Sequence, residues 1–213
     1  MNETNQMAKS ATPESINEVV LKGTIIHKFV TPDVAILTIN TGNSTPVVNF
    51  PKVVFFGDLR TDVENNFEKG DHVTVVGNIQ SSRKKENVKN QVMQSVFAES
   101  IEKTVSVMEA AFGVSTSSSY KKFENTFKIA GEVMSLDCPA DSMVRITIRT
   151  YKNNHVSFSR YVFYTANPEE VLSNIHPRDF VYGLGCIQTS KKTKKNNETQ
   201  YFQDYIITEL AKA

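Results

Sequence analysis

The sequence predicts an all-β protein with short helices, built as two consecutive five-stranded barrels. Two observations predict this fold class: an internal repeat about half as long as the chain, and alternating apolar residues that recur in each half. With 213 residues, the chain is long enough for two domains of roughly 100 residues each. Each copy of the repeat is therefore expected to form one barrel.

The internal repeat has a period of 108 to 109 residues, which is much longer than a solenoid repeat and fits a duplicated domain. The blocks that recur in the same order are residues 17–23 and 125–131, 37–41 and 146–150, 50–56 and 158–164, and 71–80 and 179–188. Their nearly constant spacing predicts domains at 17–103 and 120–213. Residues 1–16 are expected to form a flexible tail and residues 104–119 a linker, with two helical turns predicted within 105–112.

Each half begins with a strand in which apolar residues alternate around a glycine. Val19, Leu21 and Ile25 flank Gly23 in this way, and the pattern returns around Gly131. A glycine inside a strand indicates a bulge or a sharp bend. Further strands are predicted near residues 34–41, 49–56, 72–80, 91–101, 143–150, 157–164, 179–188 and 200–210.

Between the third and fourth strands of each half, the apolar period changes from two to about four. Leu59, Val63 and Phe67 mark one face of a short helix that ends before Gly70, and Asn167 is predicted to cap a second helix. Five strands with a helix after the third are the layout of the oligonucleotide/oligosaccharide-binding (OB) fold. The sequence thus predicts two tandem OB-fold barrels.

The composition excludes several classes of protein. A formal net charge of +1 excludes a strongly polybasic or polyacidic chain, although a local basic groove stays compatible with it. Cys138 and Cys186 are too few for a disulfide framework and fit a reducing compartment. The sequence lacks a run of about 18 apolar residues, and residues 1–16 lack the apolar segment of a secretory signal. We therefore expect a cytoplasmic protein without a membrane partner.

No pattern in the sequence predicts catalysis. The histidines His27, His72, His155 and His176 are dispersed, without the spacing of a zinc site, and no phosphate-binding loop or nucleophile elbow is present. We expect neither enzyme activity nor a bound metal or cofactor. His72 is expected on the surface of the fourth strand.

The third strand of each half carries an unusual face. Alternation groups Phe50, Lys52, Val54 and Phe56 in the first half, and Phe158, Arg160, Val162 and Tyr164 in the second. An unpaired buried cation costs several kcal/mol, so this face is expected to line a solvent-filled groove. In such a groove, bases stack on the rings and cations reach phosphates. The alternative is that the aromatic residues are ordinary strand formers with cations at the rim.

A basic hairpin lies between the fourth and fifth strands of each half. Its cations are Arg83, Lys84, Lys85 and Lys89 in the first half, and Lys191, Lys192, Lys194 and Lys195 in the second. Cations on a solvated loop can follow a phosphate backbone without reading its sequence, and their recurrence in both halves favours such a role. The alternative is a charged loop that only keeps the protein soluble.

At these residues the chain resembles the bacterial and phage single-stranded DNA-binding proteins. Residues 17–23 are similar to that family's first strand, and 52–57 with 67–80 to its third strand, helix end and fourth strand. By this resemblance, Phe50 and Phe56 stand at stacking positions and Lys52 at a basic position beside them. The repeat extends these roles to Phe158, Arg160 and Tyr164.

The resemblance implies coating of single-stranded DNA in replication, recombination or repair, by a monomer or a homodimer. Two features depart from the family: the chain has no Trp, and residues 206–213 do not form the acidic tip through which the family recruits replication and repair partners. These departures favour a phage or mobile-element protein. Two alternatives stay open, namely an OB-fold adaptor that holds replication or conjugation proteins with weak DNA binding, and a single-stranded RNA-binding protein.

Overall fold

The computed structural model describes residues 14–42, 48–83, 92–104, 123–152, 155–193 and 199–213. Ten strands and two helices lie in these ranges. In chain order they are β1 (Ile16–Val30), β2 (Ala35–Asn40), β3 (Lys52–Phe55), α1 (Gly57–Asn66), β4 (His72–Arg83), β5 (Val92–Lys103), β6 (Glu124–Ala140), β7 (Met143–Lys152), β8 (His155–Tyr164), α2 (Pro168–Asn174), β9 (Phe180–Thr193) and β10 (Thr199–Lys212).

The first five strands close into one barrel, barrel 1, and the last five close into a second, barrel 2. Around barrel 1 the strands follow the order β1-β2-β3-β5-β4, and around barrel 2 the order β6-β7-β8-β10-β9. In each barrel the third and fifth strands pair in parallel, and the other pairs are antiparallel. The predicted fold class, all-β with two tandem five-stranded barrels, is confirmed.

Alternation along the strands sets the two faces of each barrel wall. On β2, Ala35, Leu37 and Ile39 are buried, and the residues between them are partly exposed. The same pattern on β7 buries Val144 and Ile146. Because successive side chains point to opposite faces of a strand, a period of two places every second residue in the core.

The glycine in the first strand of each barrel allows a close approach by the second strand. A Cβ built at Gly23 would lie 2.1 Å from the carbonyl oxygen of Asn40, and one at Gly131 would lie 2.3 Å from that of Arg149. The predicted bulge is present, but it falls between Ile25 and His27 on β1 rather than at the glycine.

The two barrels fill equivalent core positions with different residues. Barrel 1 has Val19, Val53 and Val96 where barrel 2 has Phe127, Tyr161 and Tyr205, and all six are buried. The ring centroids of Phe127 and Tyr161 lie 5.5 Å apart. Gly183 stands where barrel 1 has Val75, and a Cβ built there would lie 2.9 Å from Cγ1 of Ile129. Barrel 2 thus has aromatic rings at three core positions where barrel 1 has valines, and it has a glycine on β9 where barrel 1 has a fourth valine.

An antiparallel pairing of β1 with β6 joins the barrels into one continuous sheet. It runs over seven residue pairs, from Ile16 opposite Ala130 to Lys22 opposite Glu124. The buried Asn17 amide donates to the carbonyl oxygen of Ile79 (2.8 Å) and to Oγ1 of Thr150 in barrel 2 (3.1 Å). Asn125 makes the matching bond in barrel 2, to the carbonyl oxygen of Ile187 at 2.7 Å.

Both helices follow the third strand, as predicted. Helix α1 ends earlier than the apolar spacing indicates: Phe67 is extended and follows the last helical residue, although its ring is buried. Nζ of Lys28 donates to the carbonyl oxygens of Glu64 and Phe67, which completes the helix end. Asn167 precedes α2 at the predicted cap position, but its side chain makes no capping hydrogen bond.

The predicted surface position of His72 is wrong. His72 is only 6% exposed, its Nδ1 lies 3.3 Å from Oγ1 of Thr24, and its ring meets the ring of Phe123 edge-on. Phe123 directly precedes β6, so a residue far along the chain covers this part of β4.

Several predictions concern parts of the chain outside the described residues. They are the flexible tail up to residue 13 and the helical turns within 105–112. Within the described ranges, neither helix is long and apolar enough to span a membrane, and no group of three or more His, Cys, Asp or Glu side chains is arranged to hold a metal ion.

Candidate nucleic-acid interface

The outward face of β3, extended by one or two residues at each end, presents two rings and a cation. Phe50 is 38% exposed and Phe56 is 49% exposed, with the exposed Lys52 between them. The intervening residues Val53 and Phe55 are buried in barrel 1. Alternation therefore separates a core face from a solvent face, as the sequence predicts.

Strand β8 repeats the arrangement in barrel 2. Phe158 is 45% exposed and Tyr164 is 56% exposed, with the exposed Arg160 between them and Tyr161 buried behind. Across the strand pair, Thr147 lies opposite Arg160, just as Thr38 of β2 lies opposite Lys52. A threonine opposite each cation leaves both charged groups without a carboxylate as cross-strand partner.

Barrel 2 differs from barrel 1 in having an ion pair close to this face. Nε of Arg145 donates to Oδ1 of Asp137 at 2.8 Å. This hydrogen bond holds the pKa of Asp137 below its usual range, and the charge of Arg160 acts in the same direction. Asp137 therefore stays ionised at neutral pH and offsets part of the positive charge at Arg160. Among the described residues, Lys52 has no such ion pair.

The hairpin of one barrel lies against the third strand of the other. In barrel 2, the backbone N–H of Phe158 donates to Oγ of Ser81 (3.1 Å), and that of Arg160 donates to Oε1 of Gln94 (2.9 Å). The Gln94 amide also donates back to the carbonyl oxygen of Arg160 at 2.9 Å. Ser81 and Gln94 face each other across β4 and β5 of barrel 1.

The reverse contact uses equivalent residues. The backbone N–H of Phe50 donates to Oγ1 of Thr189 (3.0 Å), and that of Lys52 donates to Oε1 of Gln203 (2.9 Å). Thr189 and Gln203 face each other across β9 and β10. Each aromatic–cation face is therefore bordered by a hairpin that belongs to the other barrel.

A groove of about 440 Å³ lies between β3 and the hairpin of barrel 2. Its lining includes Phe50, Lys52 and His27 from barrel 1, and Thr189, Tyr201 and Gln203 from barrel 2. We call it the inter-barrel groove. Its exposed rings, with Lys52 beside them, suit a planar, partly apolar ligand that carries a negative charge.

The structure describes only part of the predicted basic hairpins. Lys191 is exposed near the end of β9, and Lys192 also belongs to this strand. Arg83 is the last residue of β4. The remaining predicted cations lie outside the described residues, namely Lys84, Lys85, Lys89, Lys194 and Lys195.

Sequence reasoning missed three exposed aromatic residues near these faces. Phe29 lies opposite Ile36 on β2, one strand away from β3. Tyr151, whose ring lies 5.2 Å from the guanidinium of Arg149, is opposite Val156 of β8, two residues before Phe158. Tyr201 lines the inter-barrel groove. None of these rings belongs to the repeated third strand: strand pairing within each barrel brings Phe29 and Tyr151 near the faces, and the packing of barrel 2 against barrel 1 brings Tyr201.

The architecture and the paired faces define a double OB-fold protein with an exposed aromatic and cationic strand in each barrel. The sequence matches no protein-family model, and no curated protein sequence matches it. The wild-type single-stranded DNA-binding protein from Thermus aquaticus has a similar structure, with a TM-score of 0.64, 18% identity and coverage of 94% of both chains.

Two further solved structures are similar to the chain. A deletion mutant of the Thermus aquaticus protein gives a TM-score of 0.64 at 17% identity, covering 94% of this chain and 95% of that one. A mitochondrial single-stranded DNA-binding protein from S. cerevisiae gives a TM-score of 0.33 at 9% identity, covering 41% and 92%. The Thermus aquaticus structures confirm, at the level of fold, the resemblance predicted from the sequence.

Proposed function

We propose that the chain binds single-stranded DNA without sequence preference, through the outward faces of β3 and β8. The observation that carries the proposal is the repeated exposed series of ring, cation and ring on these strands. Phe50, Phe56, Phe158 and Tyr164 stack on bases, and Lys52, Arg160 and the hairpin cations contact phosphates. The Thermus aquaticus proteins, which share the fold, are named for this ligand and support the proposal.

Stacking explains why no sequence preference is expected. Every base has a flat π-face, and stacking on an aromatic side chain contributes about 1–3 kcal/mol per base. The four rings stay between 38% and 56% exposed in the folded protein, which leaves ring surface for this contact. Two linked barrels then gain avidity, because binding at one raises the effective concentration of the strand at the other.

We further infer that residues 17–103 and 120–213 are duplicated domains joined by a linker at 104–119. A protein of this kind, as a monomer or a homodimer in the cytoplasm, protects exposed single strands during replication, recombination or repair. The offset of 108 residues between Phe50 and Phe158, and between Lys52 and Arg160, supports the duplication.

The proposal is tested by fluorescence anisotropy with labelled oligothymidines of increasing length. Affinity should increase sharply once the oligomer is long enough to span both barrels. It should fall as salt rises, by about 0.7 in log K per phosphate contact for each tenfold increase. Duplex DNA should compete poorly, because its bases are already stacked.

Replacing the rings gives the sharpest form of this test. Phe50→Ala and Phe158→Ala should each weaken binding about tenfold, and the double variant far more, because each removes one stacking surface. The thermal midpoint should stay close to that of wild type, since both rings are exposed. Tyr182→Ala is the matched control, because Tyr182 is an exposed ring on β9 that is paired with Ala130 and Ala211 rather than with a third strand. A double variant that binds like wild type would refute the assignment.

The same measurements separate the two alternatives. Weak binding that is insensitive to salt would indicate an adaptor for protein partners, because phosphate neutralisation always produces a salt dependence. Preference for a matched RNA oligomer over DNA would indicate an RNA-binding protein, in which contacts to the 2′-hydroxyl add affinity.

A further inference from the structure

The hairpin of barrel 2 turns one particular face toward β3 of barrel 1. Thr189 and Gln203, which are paired across β9 and β10, accept hydrogen bonds from the backbone of Phe50 and Lys52. Side chains at i and i+2 on a strand share a face, and so do residues paired across two strands. This face of the hairpin is therefore fixed against barrel 1.

The next pair toward the hairpin tip on that face is Lys191 and Tyr201. Both side chains are exposed, and Tyr201 is 61% exposed. Tyr201 also lines the inter-barrel groove together with Phe50 and Lys52. Barrel 2 thus adds a second ring to the groove that Phe50 and Lys52 line, and the cation Lys191 is paired with that ring on the same face of the hairpin.

The reciprocal hairpin has no ring at the equivalent position. In barrel 1, Ser81 and Gln94 hold β8, and the next pair toward the tip is Arg83 and Val92. The cation is thus retained at this position in both hairpins, whereas Tyr201 has Val92 as its counterpart. The two aromatic–cation faces therefore differ in what the other barrel adds to them.

We propose that Tyr201 and Lys191, although they belong to barrel 2, bind the same DNA segment as Phe50 and Lys52 of barrel 1. The inter-barrel groove is then a composite site, with rings from both barrels for adjacent bases and two cations for the phosphates between them. This inference rests on the proposed function. It predicts that a short strand occupies the inter-barrel groove before the face on β8.

The test uses the full chain and an oligothymidine of about eight nucleotides, a length that fits one OB fold. Tyr201→Ala should raise the Kd about 5- to 150-fold, whereas Tyr201→Phe, which keeps the ring, should bind like wild type. Val92→Ala is the matched control at the equivalent hairpin position and should change the Kd less than twofold.

Double variants identify the groove in which Tyr201 acts. In the Phe50→Ala background the short oligothymidine binds the face on β8 instead of the inter-barrel groove, so adding Tyr201→Ala should raise the Kd little further. In the Phe158→Ala background the strand stays in the inter-barrel groove, so Tyr201→Ala should have its full effect. Equal effects in both backgrounds, or coupling to Phe158 instead, would overturn the inference.

A fluorescence readout is also accessible, because the chain contains no Trp. The indole of Tyr201→Trp should be quenched by the short oligomer, and Phe50→Ala should weaken this quenching more than Phe158→Ala does. Wild-type protein that fails to bind any oligothymidine would reject the proposed function itself. Wild-type binding that Tyr201→Ala leaves unchanged would reject only the composite site.

Discussion

At the scale of single residues, the position of a ring along its strand decides whether the ring is buried in the core or exposed to solvent. Phe158 and Tyr161 are three residues apart on β8, yet Phe158 is 45% exposed and Tyr161 is fully buried. Burial raises the pKa of the Tyr161 phenol above its ordinary value of 10.0, because the ionised form loses its hydration in the core. The same sequence pattern therefore provides both an exposed ring, which we propose as a stacking surface, and a core residue that must stay neutral.

Tyr161 should make the protein sensitive to alkaline pH. Its pKa is raised in the folded state, so its contribution to stability is complete below about pH 10 and falls as pH rises further, when the unfolded chain ionises first. Urea unfolding at several values from about pH 9 to about pH 11 should show a smaller loss of stability for Tyr161→Phe than for wild type. The control Tyr182→Phe, at an exposed ring, should follow wild type. If the free energy of unfolding fell equally steeply with pH for all three proteins, this account would be contradicted.

At the scale of elements, the turn before the fourth strand has the same geometry in both barrels but different residues. The backbone N–H of Gly70 donates to the carbonyl oxygen of Ile25 at 2.9 Å, and the backbone N–H of Arg178 donates to the carbonyl oxygen of Val133 at 2.8 Å. Gly70 has a φ of +101°, which glycine tolerates. Arg178 has a φ of +78° and is the only non-glycine residue in the described ranges with a positive φ.

Arg178→Gly should therefore stabilise the protein. A left-handed conformation costs a residue with a Cβ roughly 1–2 kcal/mol, and the substitution by glycine removes this cost. Part of the gain in stability is lost again, because glycine has more conformational freedom in the unfolded chain. We expect a net gain of about 0.5–1 kcal/mol by urea unfolding. Arg178→Gln removes the charge but keeps the Cβ, so it should match wild type, and Gly70→Ala should destabilise. A gain with Arg178→Gln as large as with Arg178→Gly would point to charge rather than backbone strain.

At the scale of the whole molecule, the two barrels are joined by more than a linker. The seven pairs between β1 and β6 make one sheet, and Asn17 bonds to Thr150 across the joint. The hairpins add reciprocal contacts through Gln94 and Gln203. Neither barrel can lose its structure without exposing hydrogen-bonding groups of the other, so we expect them to unfold together.

Phe127→Ala tests this cooperativity. It removes a buried ring that contacts Tyr161 and Tyr205 in barrel 2, at an expected cost of about 3–5 kcal/mol. Hydrogen exchange should then speed up in β2 and β3 of barrel 1 as much as in β7 and β8 of barrel 2. Calorimetry should still give a single transition. Protection in barrel 1 that stays at the wild-type level would show two independent units.

The sequence by itself determined the order of strands and helices, the two barrels and the faces of β3 and β8. These features follow from local periodicity, because each side chain's direction is set by its own strand. Local pattern failed where distant residues decide the outcome. His72 is covered by Phe123, and Lys28 of β1 binds the last carbonyl groups of helix α1, which ends at Asn66 although the apolar spacing continues to Phe67.

Only the tertiary structure decided which hairpin borders which aromatic–cation face. Phe50 and Thr189 are far apart in the chain, and their contact depends on how β1 and β6 align the two barrels. Tyr201 reaches the inter-barrel groove through that alignment. A strand's own pattern specifies which side chains face outward, but the neighbour they meet is set by the packing of whole barrels, which no local spacing encodes.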